Sequence, residues 1–154
     1  MRKIAIPLTQ QNFEFLKKEH PEDITASVKD VLALAIESVI KNNAYLPRKT
    51  EEKIDRTKFP QERLVFYNEN KWRKSSGSKL TMDTVRKINN MLDFMLKQKF
   101  IKYCDELRQE KPEVMHKECI EWFCEGNGLT YDQTFYQSLK KYDYRYRIKS
   151  GKHD

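Results

Sequence analysis

Apolar positions alternate at the start of the chain. Ile4, Ile6 and Leu8 fall on one face of residues 3–8, a period of two that predicts a short, half-buried strand. The period then changes. Thr9 or Gln10 opens a helical pattern with Phe13 and Leu16 on one face and Phe15 on its flank. His20-Pro21 ends it, because a residue preceding proline is pushed out of the α region. A second helix is expected from Ser27, where Ser27-Val28-Lys29-Asp30 resembles a capping box with Asp in the closing position. Val28, Val31, Leu32, Ala35, Ile36 and Val39 recur at helical spacing, and Leu34 and Ile40 widen the stripe. A helix this apolar is expected to pack on more than one neighbour, which suits a dimer core. Asn42-Asn43 closes it.

The pattern weakens over residues 46–80, which hold Pro47, Pro60 and the Ser75-Ser76-Gly77-Ser78 cluster. Phe59, Phe66, Tyr67 and Trp72 make this connector too aromatic for a bare linker. Leu64-Val65-Phe66-Tyr67 reads equally as a short strand or a helical turn. Thr81 then opens a long helix over about 82–109, with Val85, Ile88, Leu92, Met95 and Leu96 on one face and Phe100, Ile101, Tyr103 and Cys104 continuing it. Pro112 suits a first helical position, so a helix is expected over about 112–124, stopped by Gly126-Asn127-Gly128. Thr130-Tyr131-Asp132-Gln133 is a further capping pattern and opens a last helix. The expected fold is mostly α. A strand-helix-helix unit at 1–45 and a basic connector at 46–80 precede a helical domain at 81–154.

A strand with two unpaired edges needs a partner, and a second copy of the same chain is the nearest candidate. The strand at 3–8, the helix at 9–19, the turn at 21–26 and the Ser-opened helix at 27–41 together resemble the ribbon-helix-helix family of DNA-binding proteins, the Arc and MetJ superfamily. The resemblance covers about a quarter of the chain. It implies a homodimer whose two strands form an antiparallel ribbon in the major groove, which is wide enough to admit one. Carried over, it makes Lys3, Ala5 and Pro7 base-facing, with Arg2 beside them as a phosphate contact. It also aims the start of the second helix, at Ser27, Val28 and Lys29, at a phosphate, as helix N-termini favour anions. Ala5 offers a methyl group alone and Pro7 no side-chain donor. Most of the affinity is therefore expected from the connector and tail, with modest base specificity.

Charge distribution supports a polyanionic partner. The net charge is +7. Residues 1–45 are neutral, residues 46–80 carry ten basic and five acidic side chains, and residues 139–154 carry six and two. In the connector, Lys71, Arg73 and Lys74 flank Trp72 and are candidate phosphate contacts. In the tail, Lys141, Arg145 and Lys149 recur every fourth residue beside Tyr142 and Tyr146, and Arg147 adds a further cation. Such a segment neutralises phosphates and stacks on bases. It also fits a terminal helix whose tyrosines pack inward while its cations stay wet.

Other chemistry is poorly represented. Cys104, Cys119 and Cys124 form no disulfide framework, and with His116 they lack zinc-ligand spacing, so buried thiols and no metal are expected. Ser76-Gly77-Ser78-Lys79 lacks P-loop spacing. No nucleophile elbow, carboxylate pair or His-centred triad stands out, so neither catalysis nor a cofactor is expected. No apolar run approaches the ~20 residues of a membrane span, and a cytoplasmic location is expected. The expected function is DNA binding by a homodimeric regulator or an accessory factor of a mobile element or relaxosome. A further protein partner on the helical half is part of that expectation. The alternative is a helical protein-interaction module with no nucleic-acid role.

Overall fold

The computed structural model describes residues 2–25, 30–43, 53–67 and 80–149. Five helices dominate the described residues, with a three-stranded sheet in the N-terminal half. The elements are β1 (Arg2–Leu8), α1 (Gln10–Glu19), β2 (Ile24–Thr25), α2 (Val31–Asn43), β3 (Gln61–Tyr67), α3 (Met82–Glu110), α4 (His116–Gly126) and α5 (Gln133–Lys149). They fall into two compact units, Met1–Leu92 and Asp93–Asp154, and the division lies within α3.

In the first unit the alternating strand forms as expected, but its partner lies in its own chain. β1 pairs antiparallel with β3 from Arg2↔Tyr67 to Leu8↔Gln61. β2 lies parallel on the other side of β3, with Ile24 opposite Val65, giving the order β1-β3-β2. The segment read as a connector therefore supplies the central strand. Val65 points into the core and is fully buried, while Leu64 beside it is 39% exposed, the alternation of a strand covered on one face. Ile6, Leu8, Ile24 and Val65 from the sheet pack with Leu16 of α1, Ala33, Ile36 and Ile40 of α2, and Ile88 and Leu92 of α3. Phe59, Met82 and Val85 form a smaller cluster. A 1–45 unit thus has no closed core of its own, which is why the boundary lies near residue 92 and not at 45 and 80.

Helix ends follow local chemistry. Thr9 caps α1, its hydroxyl accepting from Asn12 N at 3.2 Å. α2 begins at Val31, later than the Ser27 expected, because Asp30 is the residue that caps it and accepts from Ala33 N at 3.1 Å. The other carboxylate oxygen of Asp30 lies 2.9 Å from His20 Nε2, while His20 Nδ1 lies 2.9 Å from the Glu22 carbonyl oxygen. Arg63 of β3 donates to the carbonyls of His20 and Glu22 at 2.6 and 2.7 Å. Burial lowers the His20 pKa, but acceptors at both ring nitrogens outweigh it and leave the group above its ordinary value.

A buried amide pair secures β1. Asn89 of α3 donates from Nδ2 to the Pro7 carbonyl at 3.0 Å, and its Oδ1 accepts from Thr9 N at 3.1 Å. Asn12, fully buried, donates to Asn89 Oδ1 at 3.0 Å. The Pro7 carbonyl and the Thr9 N–H are groups a strand presents on one side. At this end of β1 a side chain of the same chain stands where a neighbouring strand would.

In the second unit, Leu96, Phe100, Ile101 and Cys104 of α3 are buried, as are Cys119, Ile120, Phe123 and Cys124 of α4 and Leu139 of α5. The Phe100 and Phe123 rings lie 5.2 Å apart and tilted. α4 starts at His116, not Pro112, because Lys111–Val114 forms a turn in which Val114 N donates to the Lys111 carbonyl at 3.0 Å. Gly128, with φ +63°, ends α4 through the left-handed backbone that glycine adopts most readily. Among the described residues no helix is long and apolar enough to cross a membrane.

Candidate nucleic-acid interface

α5 is asymmetric in charge. Asp132 caps it, accepting from Phe135 N at 2.8 Å. At 100° per residue its seventeen residues divide into two half-circles. One holds Phe135, Tyr136, Leu139, Tyr142, Asp143, Tyr146 and Arg147. The other holds Gln133, Thr134, Gln137 and Ser138, then Lys140, Lys141, Tyr144, Arg145, Ile148 and Lys149. The second half-circle contains no carboxylate.

The inner half-circle is tied down by polar contacts. Gln98 donates to the Tyr142 hydroxyl at 2.7 Å, and Lys97 Nζ sits 5.5 Å from the centre of that ring. Tyr146 donates to Asp105 at 3.1 Å. Asp143, the one acidic residue of α5, is completely buried. Arg108 donates to both its oxygens, at 3.0 and 2.6 Å, and His116 Nδ1 lies 2.6 Å from one of them. Arg147 donates to His116 Nε2 at 3.0 Å. A guanidinium has no acceptor to offer, so Nε2 accepts from Arg147, while Nδ1 faces Asp143 at 2.6 Å as its nearer neighbour and Arg108 Nη2 at 3.4 Å. Burial is the main cause that lowers the His116 pKa, and Arg108 and Arg147 add to it against the opposing pull of Asp143. Asp143 in turn holds the Arg108 guanidinium charged.

Two thiols adjoin this cluster. Cys104 and Cys119 are fully buried and unbridged. The Cys104 thiol donates to the Cys119 sulfur, which with help from Arg108 brings Cys119 down to about 7 and pushes Cys104 up. Their burial denies a substrate direct access. Among the described residues no group of three or more His, Cys, Asp or Glu side chains could hold a metal ion. His116 is committed to Asp143 and Arg147 instead.

The outer half-circle is different in kind. Lys140, Lys141, Arg145 and Lys149 are exposed and have no carboxylate partner among the described residues. Tyr144 is 58% exposed and Ile148 46%. Lys141 and Arg145 therefore stand where the spacing put them, while Arg147 turns inward to His116. Tyr142 and Tyr146 pack inward too, as the alternative reading of the tail had it. Lys140 and Tyr144 were missed, although continuing the helical period back to Gln133 puts both on the outer face.

Of the residues assigned through the ribbon, three share one face of β1. Lys3 is exposed, Ala5 half-buried and Pro7 buried, on the sheet face opposite Ile4 and Ile6. The Arg2 backbone pairs with Tyr67 of β3. Ser27, Lys29, Lys71, Arg73 and Lys74 lie outside the described residues. The start of α2 already carries a carboxylate, that of Asp30, where the resemblance implied a phosphate. No family model, no curated protein and no solved structure matches the chain.

Proposed function

We propose that the chain is a non-enzymatic nucleic-acid-binding protein, with DNA as its ligand and the outer face of α5 as its principal contact. One observation carries the reading. Four cations share an exposed half-circle with no carboxylate, and the helix's one acidic residue is turned inward and neutralised by Arg108. Lys141 to Lys149 spans about 12 Å of helix axis, enough to follow several successive phosphates. Such contacts position a polyanion without reading its sequence, so the expected binding has high salt sensitivity and low specificity.

The homodimer remains part of the proposal in a narrower form. Among the described residues β1 has β3 as its sole strand neighbour. Asn89 occupies one side of β1 at Pro7 and Thr9. Pairing with a second copy is therefore confined to residues 2–6. The interaction-module reading draws on this same edge.

Fluorescence anisotropy with labelled DNA across a salt series tests the function. Affinity that falls steeply as salt rises supports it. Absence of binding at low salt excludes it and leaves the β1 edge as the surface to pursue.

A further inference from the structure

The outer half-circle of α5 carries more than charge. Lys140, Tyr144 and Ile148 recur every fourth residue and form one stripe, and Lys141, Arg145 and Lys149 form the next. A cationic rail thus runs beside a ledge whose middle is an aromatic ring, 58% exposed. Its neighbours in sequence show that exposure is not the default for tyrosine on this helix. Tyr142 and Tyr146 each bond their hydroxyl to α3. Tyr144, two residues from each, lies on the opposite half-circle among the cations.

Charge alone suits any nucleic acid, but an exposed ring discriminates. In a duplex the base faces are stacked on one another, and a helix lying along the backbone meets sugar and phosphate. An unpaired base presents its π-face, and a ring beside a phosphate-tracking rail stacks on it. Arg145 follows Tyr144 directly and adds a planar cation that can lie against the same base.

We propose that the outer face of α5 is a single-strand site, in which Lys141, Arg145 and Lys149 track the phosphates and Tyr144, flanked by Ile148, carries an unpaired base. This rests on the nucleic-acid reading above and narrows its ligand to a strand with unstacked bases. Gln133, Thr134, Gln137 and Ser138 extend the face toward the start of α5 with neutral hydrogen-bonding groups and line a shallow depression that Lys141 also borders.

The test uses the full chain, a labelled mixed-sequence DNA strand of about 16 nucleotides, and the same strand annealed to its complement. The single strand is expected to bind at least about fivefold more tightly than the duplex at matched salt. Tyr144→Ala is expected to weaken single-strand binding about 5- to 10-fold with an unchanged salt slope, and Tyr144→Phe to restore it. Arg145→Gln is expected to reduce the slope by about 0.7, the share of one phosphate contact on a single strand. Tyr144 is exposed, so circular dichroism of its variants is expected to match the parent. Salt-sensitive binding that favours the duplex, or that ignores Tyr144→Ala, overturns the single-strand site while leaving the nucleic-acid reading intact. No salt-sensitive binding to either probe overturns both.

Discussion

Arg108 grips Asp143 through both terminal nitrogens, at 3.0 and 2.6 Å, and so holds a carboxylate with no solvent exposure inside a helix whose other charges are all positive. The pair fixes the rotation of α5. If Asp143 reached solvent, it would lie among the cations and cancel part of their field. Arg108→Met leaves that carboxylate buried without its cation, and is expected to destabilise the protein by about 3–5 kcal/mol. Arg108→Met combined with Asp143→Leu is expected to recover much of the loss, since replacing both members of a buried pair costs less than removing one. Urea denaturation of the two variants and the parent measures both effects.

The two described histidines respond to pH with opposite sign. His20 has a raised pKa in the folded protein, so it binds protons more tightly folded than unfolded. Its contribution to stability is full below about 6.5 and is lost as pH rises through the folded value. His116 has a lowered pKa, so its contribution is full above about 6.5 and is lost as pH falls through the folded value. Titrating the imidazole resonances by NMR is expected to place His20 above and His116 below the ordinary histidine value. His20→Gln is expected to steepen the loss of stability on acidification, and His116→Gln to flatten it.

Asn89 pairs with the Pro7 carbonyl, the Thr9 N–H and the Asn12 side-chain nitrogen at once. Asn89→Leu removes those partners, and each buried group left unmatched costs about 1–3 kcal/mol. The variant is expected to lower the denaturation midpoint.

Helices were the legible part of the chain. Thr81 and the Val85–Leu96 stripe announced α3, and the Thr130–Gln133 capping pattern announced α5, although Asp132 and not Thr130 accepts from its first turn, because capping and period are local signals. Non-local choices were not legible. β1 alternates as expected, but its partner lies about sixty residues away and nothing in residues 3–8 specifies it. β3 was ambiguous because Arg63 stands opposite Ile6, and its guanidinium escapes the core only by reaching the carbonyls of His20 and Glu22. α2 was expected to open at Ser27 with Asp30 closing the box, but Asp30 is itself the cap, with His20 bound to its second oxygen. The cationic stripe of Lys141, Arg145 and Lys149 was readable from spacing. The inward turn of Asp143 was not, because its partner Arg108 lies 35 residues earlier on another helix.

The outer face of α5 is proposed to hold nucleic acid through its cations. The most direct test compares the salt dependence of DNA affinity for the parent and for Lys141→Glu with Arg145→Glu, both on exposed positions. A steep log–log slope is expected of the parent, up to about −3 if all four outer cations meet phosphates of a single strand. The double variant is predicted to lose most of its affinity, keep its helical circular dichroism, and show a slope shallower by at least about 1. A double variant that binds with the affinity and slope of the parent would rule out α5 as the nucleic-acid contact.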